Sequence, residues 1–170
     1  QVAVDAEGRM LVLYCRRSSS EDGYAADGNR LFVHFRDSQR VWLEGGAFAV
    51  TTDTESSETS VSMALRADGK VTFSWMSNTT GTQYSTWDMA SEDIAALTDV
   101  SNFQSLEYLR SDPDFEGAPV PTVLTNGNRL LMVVNQRELG SINKNYIKYA
   151  FADSTSASFG EFFTISYSLT

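Results

Sequence analysis

Hydrophobic residues fall on alternate positions through most of this chain, and short polar turns break the alternation at regular intervals. In ALRADGKVTFSWM (64–76), Val71, Phe73 and Trp75 share one face, while Lys70, Thr72 and Ser74 share the other. Met63 and Leu65 alternate in the same way ahead of the turn. Successive side chains of a strand point to opposite faces, so period-two patterning on both sides of a tight Asp-Gly turn predicts a β-hairpin.

The phrase occurs three times. VAVDAEGRMLVLYCRR (2–17) and TVLTNGNRLLMVVNQR (122–137) align with it when Gly8, Gly69 and Asn128 are superposed. Met10/Val12/Tyr14, Val71/Phe73/Trp75 and Leu130/Met132/Val134 then coincide, preceded by Val2/Val4, Met63/Leu65 and Thr122/Leu124. Glycine, or asparagine in its place, supplies the positive φ that such turns need. Gly8 to Gly69 is 61 positions and Gly69 to Asn128 is 59, a spacing that points to repeated structural units.

Each copy continues alike. A polar loop follows the hairpin, then a third strand (30–35, 83–87, 145–151), an acidic turn, and a fourth strand (41–50, 103–109, 161–169). Residues 89–101 are the least regular; a single helical turn is expected over 92–100, with Ser91 as its N-cap. The chain therefore reads as one all-β domain, 1–170, with repeat units of approximately 1–55, 56–115 and 116–170. Four antiparallel strands per unit predict a β-propeller-like fold of three four-stranded blades, half of a six-bladed propeller or part of a larger one. A single β-sandwich is the alternative. Three blades leave two sheet faces uncovered, so either a homodimer or an additional chain is expected to complete the ring.

Composition narrows the partners. No apolar run approaches the roughly 18 residues of a membrane span, so no membrane-crossing helix is expected. Net charge is −9, which argues against nucleic acid, a polyanion bound through basic surface. QVAVDAEGR shows no basic and apolar leader, and the chain reads as starting inside a strand, as an excised or processed piece would. Cys15 is the one cysteine, so no internal disulfide forms; its MLVLYC context predicts a buried, inert thiol. With a single histidine, His34, a Cys/His zinc site is excluded, and neither metal nor cofactor is expected.

Several residues have chemistry to offer. Arg16 and Arg17 end the first apolar strand, and alternation allows at most one of them in any single site. Asp112, Asp114 and Glu116 in RSDPDFEG present oxygen ligands for calcium, although D-x-D without a full ligand loop reads more simply as an inter-unit loop. Tyr24 and Tyr146, in or beside loops, are better placed for stacking on sugars than Trp75, which follows the core pattern. Period two turns His34 away from Val33 and Phe35, as a structural or surface histidine. Asp37 and Asp153, in FRDS and FADS, are expected to hold turns by accepting from backbone N–H groups. Asn78-Thr79-Thr80 matches a glycosylation acceptor.

GRMLVLYCRRSSSEDG (8–23), followed by RLFVHFRDSQRVW (30–42), runs as glycine turn, apolar strand, arginine pair, acidic glycine-containing loop and strand. FADSTSASFGEF (151–162) is a degenerate Asp-box. In this order the chain resembles the sialidase-type propellers with their Asp-box (BNR) repeats. The resemblance implies carboxylate-binding arginines at Arg17 and Arg137, which occupy matching strand ends, with Asn78 at the equivalent place in the second unit. It implies a general acid/base at Asp22 and a glutamate near Glu116. The expected function is glycan recognition at loop ends by Arg16, Arg17, Tyr24, Asn78, Arg137 and Tyr146. The setting implied is an extracellular, virion or cell-surface one, as part of a viral or bacterial surface assembly. The alternatives are a glycoside hydrolase using Asp22 and Glu116, and a non-enzymatic structural component of a larger particle.

Overall fold

A computed structural model describes residues 1–18, 28–43, 48–49, 58–77, 81–105, 115–127, 129–138, 144–152 and 158–169. The chain is all-β. Its strands are β1 (Val2–Val4), β2 (Met10–Ser18), β3 (Gly28–Arg36), β4 (Phe48–Ala49), β5 (Glu58–Leu65), β6 (Lys70–Ser77), β7 (Gly81–Asp88), β8 (Gln104–Ser105), β9 (Phe115–Asn126), β10 (Arg129–Glu138), β11 (Lys144–Ala152) and β12 (Phe163–Leu169). They form three four-stranded antiparallel sheets, β1-β2-β3-β4, β5-β6-β7-β8 and β9-β10-β11-β12, each in chain order.

The first two hairpin turns are built identically. Asp5 N donates to Arg9 O at 3.1 Å and Gly8 N to Asp5 O at 3.1 Å; Arg66 N donates to Lys70 O at 2.8 Å and Gly69 N to Arg66 O at 3.1 Å. Gly8 and Gly69 both sit at φ +81°, where a side chain would clash with its own backbone. The third turn is one residue shorter. Asn126 pairs directly with Arg129, and Gly127 has a positive φ (+63°); Asn128, where the alignment expected one, lies outside the described residues. This shortening shifts the strand ahead of the turn by one place, and a one-place slip swaps faces. Val123 therefore takes the buried position and Leu124 is turned out, although the alignment paired Leu124 with Leu65.

Each sheet has two distinct faces. A forward face holds Leu11 and Leu13 in the first sheet, Thr72 and Ser74 in the second, and Leu131 and Val133 in the third, in equivalent register. The rear face holds the three triplets that the sequence aligned. The forward face of the first sheet packs on the rear face of the second. Leu11, Leu13, Leu31, Val33 and Phe35 meet Val71, Phe73, Trp75 and Trp87 in one buried cluster, where Phe35 crosses Trp87 edge-on at 5.0 Å. The forward face of the second sheet packs on the rear face of the third, where Ala64 and Tyr84 meet Val123, Leu130, Met132, Val134 and Ala150. Across this second contact Val123 N donates to Ser62 Oγ at 2.9 Å, and Ala67 N to Gly127 O at 3.1 Å.

Among the described residues the middle sheet is thus covered on both sides; the forward face of the third sheet is open, and the rear face of the first is open around Val2, Val4 and Trp42 but closed over Phe32 and Arg30, which are buried. In the first sheet the expected triplet Met10/Val12/Tyr14 lies on the rear face and is only half-buried; the sealed residues of β2 are Leu11 and Leu13. Cys15 is exposed, not buried. Burial along β2 ends before it, and Arg16 and Arg17 beyond it are exposed as well. The helix is α1 (Ile94–Thr98), and its N-cap is Asp93, whose carboxylate accepts from Ala96 N at 3.1 Å. Ser91, the expected cap, instead accepts from Asp93 N at 3.2 Å and closes the preceding turn. Of the fourth strands in the first two units, the described residues show Phe48–Ala49, with a bridge from Trp42 to Arg36, and Gln104–Ser105; the rest of the expected spans 41–50 and 103–109 lies partly outside the described residues. No helix among the described residues is long and apolar enough to cross a membrane.

Candidate functional site

At the far ends of β2 and β10 from their hairpin turns, the register brings polar residues into rows. Arg17 lies opposite Asn29, and Arg137 lies opposite Asn145. The two arginines hold the same register position in the first and third sheets, as their alignment required. In the third sheet the row continues on both sides: Glu116 lies opposite Arg137, and Ser168 opposite Asn145. Glu116 and Arg137, two separate candidates in the sequence, are therefore cross-strand neighbours. A bulge in β9, between Val120 and Glu116 and facing Asn135–Arg137 of β10, creates this match, which period counting along one strand does not reveal.

Arg16 and Arg17 are both exposed and take opposite faces of β2. Arg16 belongs to the rear face, where its guanidinium lies 4.5 Å from the centre of the buried Phe32 ring. It stands opposite Arg30, which is fully buried. Tyr146 is half-buried, and the Lys148 ammonium lies 5.8 Å from its ring centre. Asp22, Tyr24 and Asn78 lie outside the described residues, as do Asp112, Asp114 and Asp153. No group of three or more metal-ligating side chains occurs among the described residues.

Two features of the structure are not evident from the sequence. The first is an aromatic and cationic ladder on the rear face of the first sheet, partly open and partly buried at Phe32. Tyr14 stacks with Phe32 at 5.9 Å and with His34 at 5.7 Å, and Trp42 meets His34 edge-on at 6.1 Å. Tyr14 Oη lies 3.1 Å from His34 Nε2, and the Arg36 guanidinium lies 5.9 Å from the Trp42 ring centre. The alternation of Tyr14 with Val12, and of His34 with Phe32, carries this signal, but the same alternation is what any repeated hairpin would show.

The second is a cleft of about 420 Å³ between the first two hairpin turns, lined by Asp5, Glu7, Arg9, Arg66 and Asp68 among others. Arg9 donates to Asp5 at 2.5 Å and to Glu7 at 3.1 Å, and Arg66 donates to Asp68 at 2.8 Å. The hydrogen bond to Asp5 is the main cause holding the Arg9 guanidinium above its ordinary pKa. Asp5 also accepts from the backbone N–H groups of Glu7 and Arg9, so these charges organise the turn itself. Asp37 does the same for its own turn, accepting from Val41 N at 2.8 Å as expected.

No protein-family model matches the chain, and no curated protein does. It is similar to a solved structure from Dyadobacter fermentans DSM 18053, described as a protein of unknown function, with a TM-score of 0.46 and 10% identity. The match covers 89% of this chain and 48% of that one, so the chain spans about half the length of that structure.

Proposed function

We propose that the chain is three consecutive blades of a β-propeller and that it serves as a non-catalytic module recognising acidic carbohydrate, in an extracellular or particle-surface setting. The consecutive meanders, stacked forward face on rear face, support the blade reading. The observation that carries the binding reading is the recurrence of one cross-strand pair, Arg17 opposite Asn29 and Arg137 opposite Asn145, at matching sheet ends. A planar guanidinium fork next to an amide offers bidentate recognition of a carboxylate plus a donor or acceptor for a neighbouring hydroxyl. A uronic or sialic acid residue presents both groups.

A glycan array tests this. Sialylated and uronate-bearing glycans should retain the protein and their neutral counterparts should not. Arg17→Ala and Arg137→Ala should each lower binding at least tenfold without changing the far-ultraviolet circular dichroism. An array blank for acidic glycans rejects the reading. Turnover of a fluorogenic sialoside or glucuronide, lost on Asp22→Asn, would replace it with the glycoside-hydrolase reading.

A further inference from the structure

We propose that the uncovered forward face of the third sheet docks on the open part of the rear face of the first sheet, around Val2, Val4 and Trp42, in a second copy of this chain. Two such contacts close six sheets into a twofold ring. The inference rests on the blade stacking described above and is independent of the ligand.

The chain contains its own template for the contact. Leu11 pairs with Phe35 on the forward face of the first sheet, and both are sealed beneath the second sheet, at 0% and 1% exposure. The third sheet carries the same two residue types in the same register: Leu131 pairs with Phe151. There Phe151 is 42% exposed, with Phe163 at 53% and Ile165 at 60% on the neighbouring strand. An apolar row that is core in one sheet is surface in its equivalent. A contiguous exposed apolar sheet face of this kind marks an interface. A shallow groove of about 350 Å³ runs beside it, between Leu124, Arg129, Leu131 and Phe151.

The partner must present a rear face, because both sheet contacts within the chain join forward to rear. The first sheet has part of one to spare, short of Phe32 and Arg30, which are buried. Val2, Val4 and Trp42 are exposed at 60%, 46% and 44% around the half-buried Met10, Val12 and Tyr14. Val12 and Tyr14 stand at the register positions of Phe73 and Trp75, which fill the equivalent contact in the second sheet. A copy of this chain supplies the missing partner for both of its own ends. Joining unlike faces makes the contact heterologous, and two copies related by a twofold axis satisfy every face.

Light scattering on a size-exclusion column, with two single-face variants, decides it. The wild type should have about twice the chain's 18.8 kDa. Val4→Glu disables the rear face and Phe151→Glu the forward face; both side chains are exposed, so the monomer fold should keep its circular dichroism. Each variant alone should run as a monomer. Mixed in equal amounts, they should form a two-chain complex, because one intact forward–rear contact remains. A wild type that stays at 18.8 kDa up to high concentration overturns the proposal. So does dissociation by only one variant, which means that a face meets itself, and so does an open-ended assembly larger than two chains.

Discussion

The consequences of a single side chain here depend on which face it occupies. Trp75 is fully buried in the first-to-second-sheet contact, stacked on Phe73 at 5.6 Å and met edge-on by Phe103 at 4.9 Å. Truncating it leaves a large cavity, so Trp75→Ala should cost about 3–5 kcal/mol in urea unfolding. Backbone conformation decides two glycine substitutions in opposite directions. A Cβ added at Gly69 would meet open space, so Gly69→Ala should lose about 1–2 kcal/mol through its +81° φ alone. Gly160 has no positive φ, and an added Cβ would meet only Phe151 O at 3.8 Å. There the alanine should be neutral or stabilise by about 0.4–1 kcal/mol, by restricting the unfolded chain. Tyr84 gives a pH dependence. Burial pushes its phenol above the ordinary 10.0, with hydrogen bonds to Phe159 and Ser158 offsetting part of the effect. A raised folded pKa favours the neutral form, so this contribution is full below pH 10 and is lost as pH rises through the folded value. Tyr84→Phe should flatten the fall in melting temperature measured above pH 10.

Turns and caps set the elements, and they are unevenly legible in the sequence. Alternation around an Asp-Gly turn is a local signal, so the hairpins at 2–17 and 64–76 and the third strands are all visible in it. The length of the third turn is not. Gly127-Asn128 and Asp68-Gly69 look alike as dipeptides, but one closes a two-residue loop and the other a three-residue loop. That single missing residue decides that Val123 faces in and Leu124 faces out. Lengthening the third turn by one glycine after Gly127 should force Leu124 inward and Val123 outward, or leave a bulge, with a loss of about 1 kcal/mol or more on unfolding and altered amide shifts along 115–126. Likewise Ser91 and Asp93 are both good caps by residue type, and only the observed backbone shows Asp93 bonded to Ala96 N. Removing it with Asp93→Ala should cost about 1 kcal/mol in the same assay, and Ser91→Ala less. The candidate site is legible only as chemistry. Arg17 and Arg137 stand out as matching strand ends, but their partners Asn29 and Asn145 come from neighbouring strands, and a bulge sets the pairing with Glu116.

The whole molecule is a stack whose two internal contacts differ in kind. In the first, both surfaces are apolar: Leu11, Leu13, Val33 and Phe35 against Val71, Phe73, Trp75 and Trp87. In the second, the middle sheet contributes a largely polar surface. Thr72 and Ser74 are buried there, and Thr72 satisfies its hydroxyl with Thr86 at 2.8 Å inside its own sheet. Burying an apolar side chain contributes about 1.5–3 kcal/mol, whereas a satisfied hydroxyl contributes little either way. The first contact should therefore hold without the second, and the reverse should fail. A fragment of residues 1–110 uncovers the mostly polar forward face of the middle sheet, Thr72 and Ser74 with Ala64 and Tyr84. It should fold cooperatively, with near-ultraviolet signals from Trp75 and Trp87. A fragment of residues 56–170 uncovers Val71, Phe73, Trp75 and Trp87 together. It should bind a hydrophobic dye, unfold without a cooperative transition, and aggregate. If the second fragment proves the more stable of the two, the order of the contacts is reversed, and the polar face of the middle sheet is the stronger adhesive.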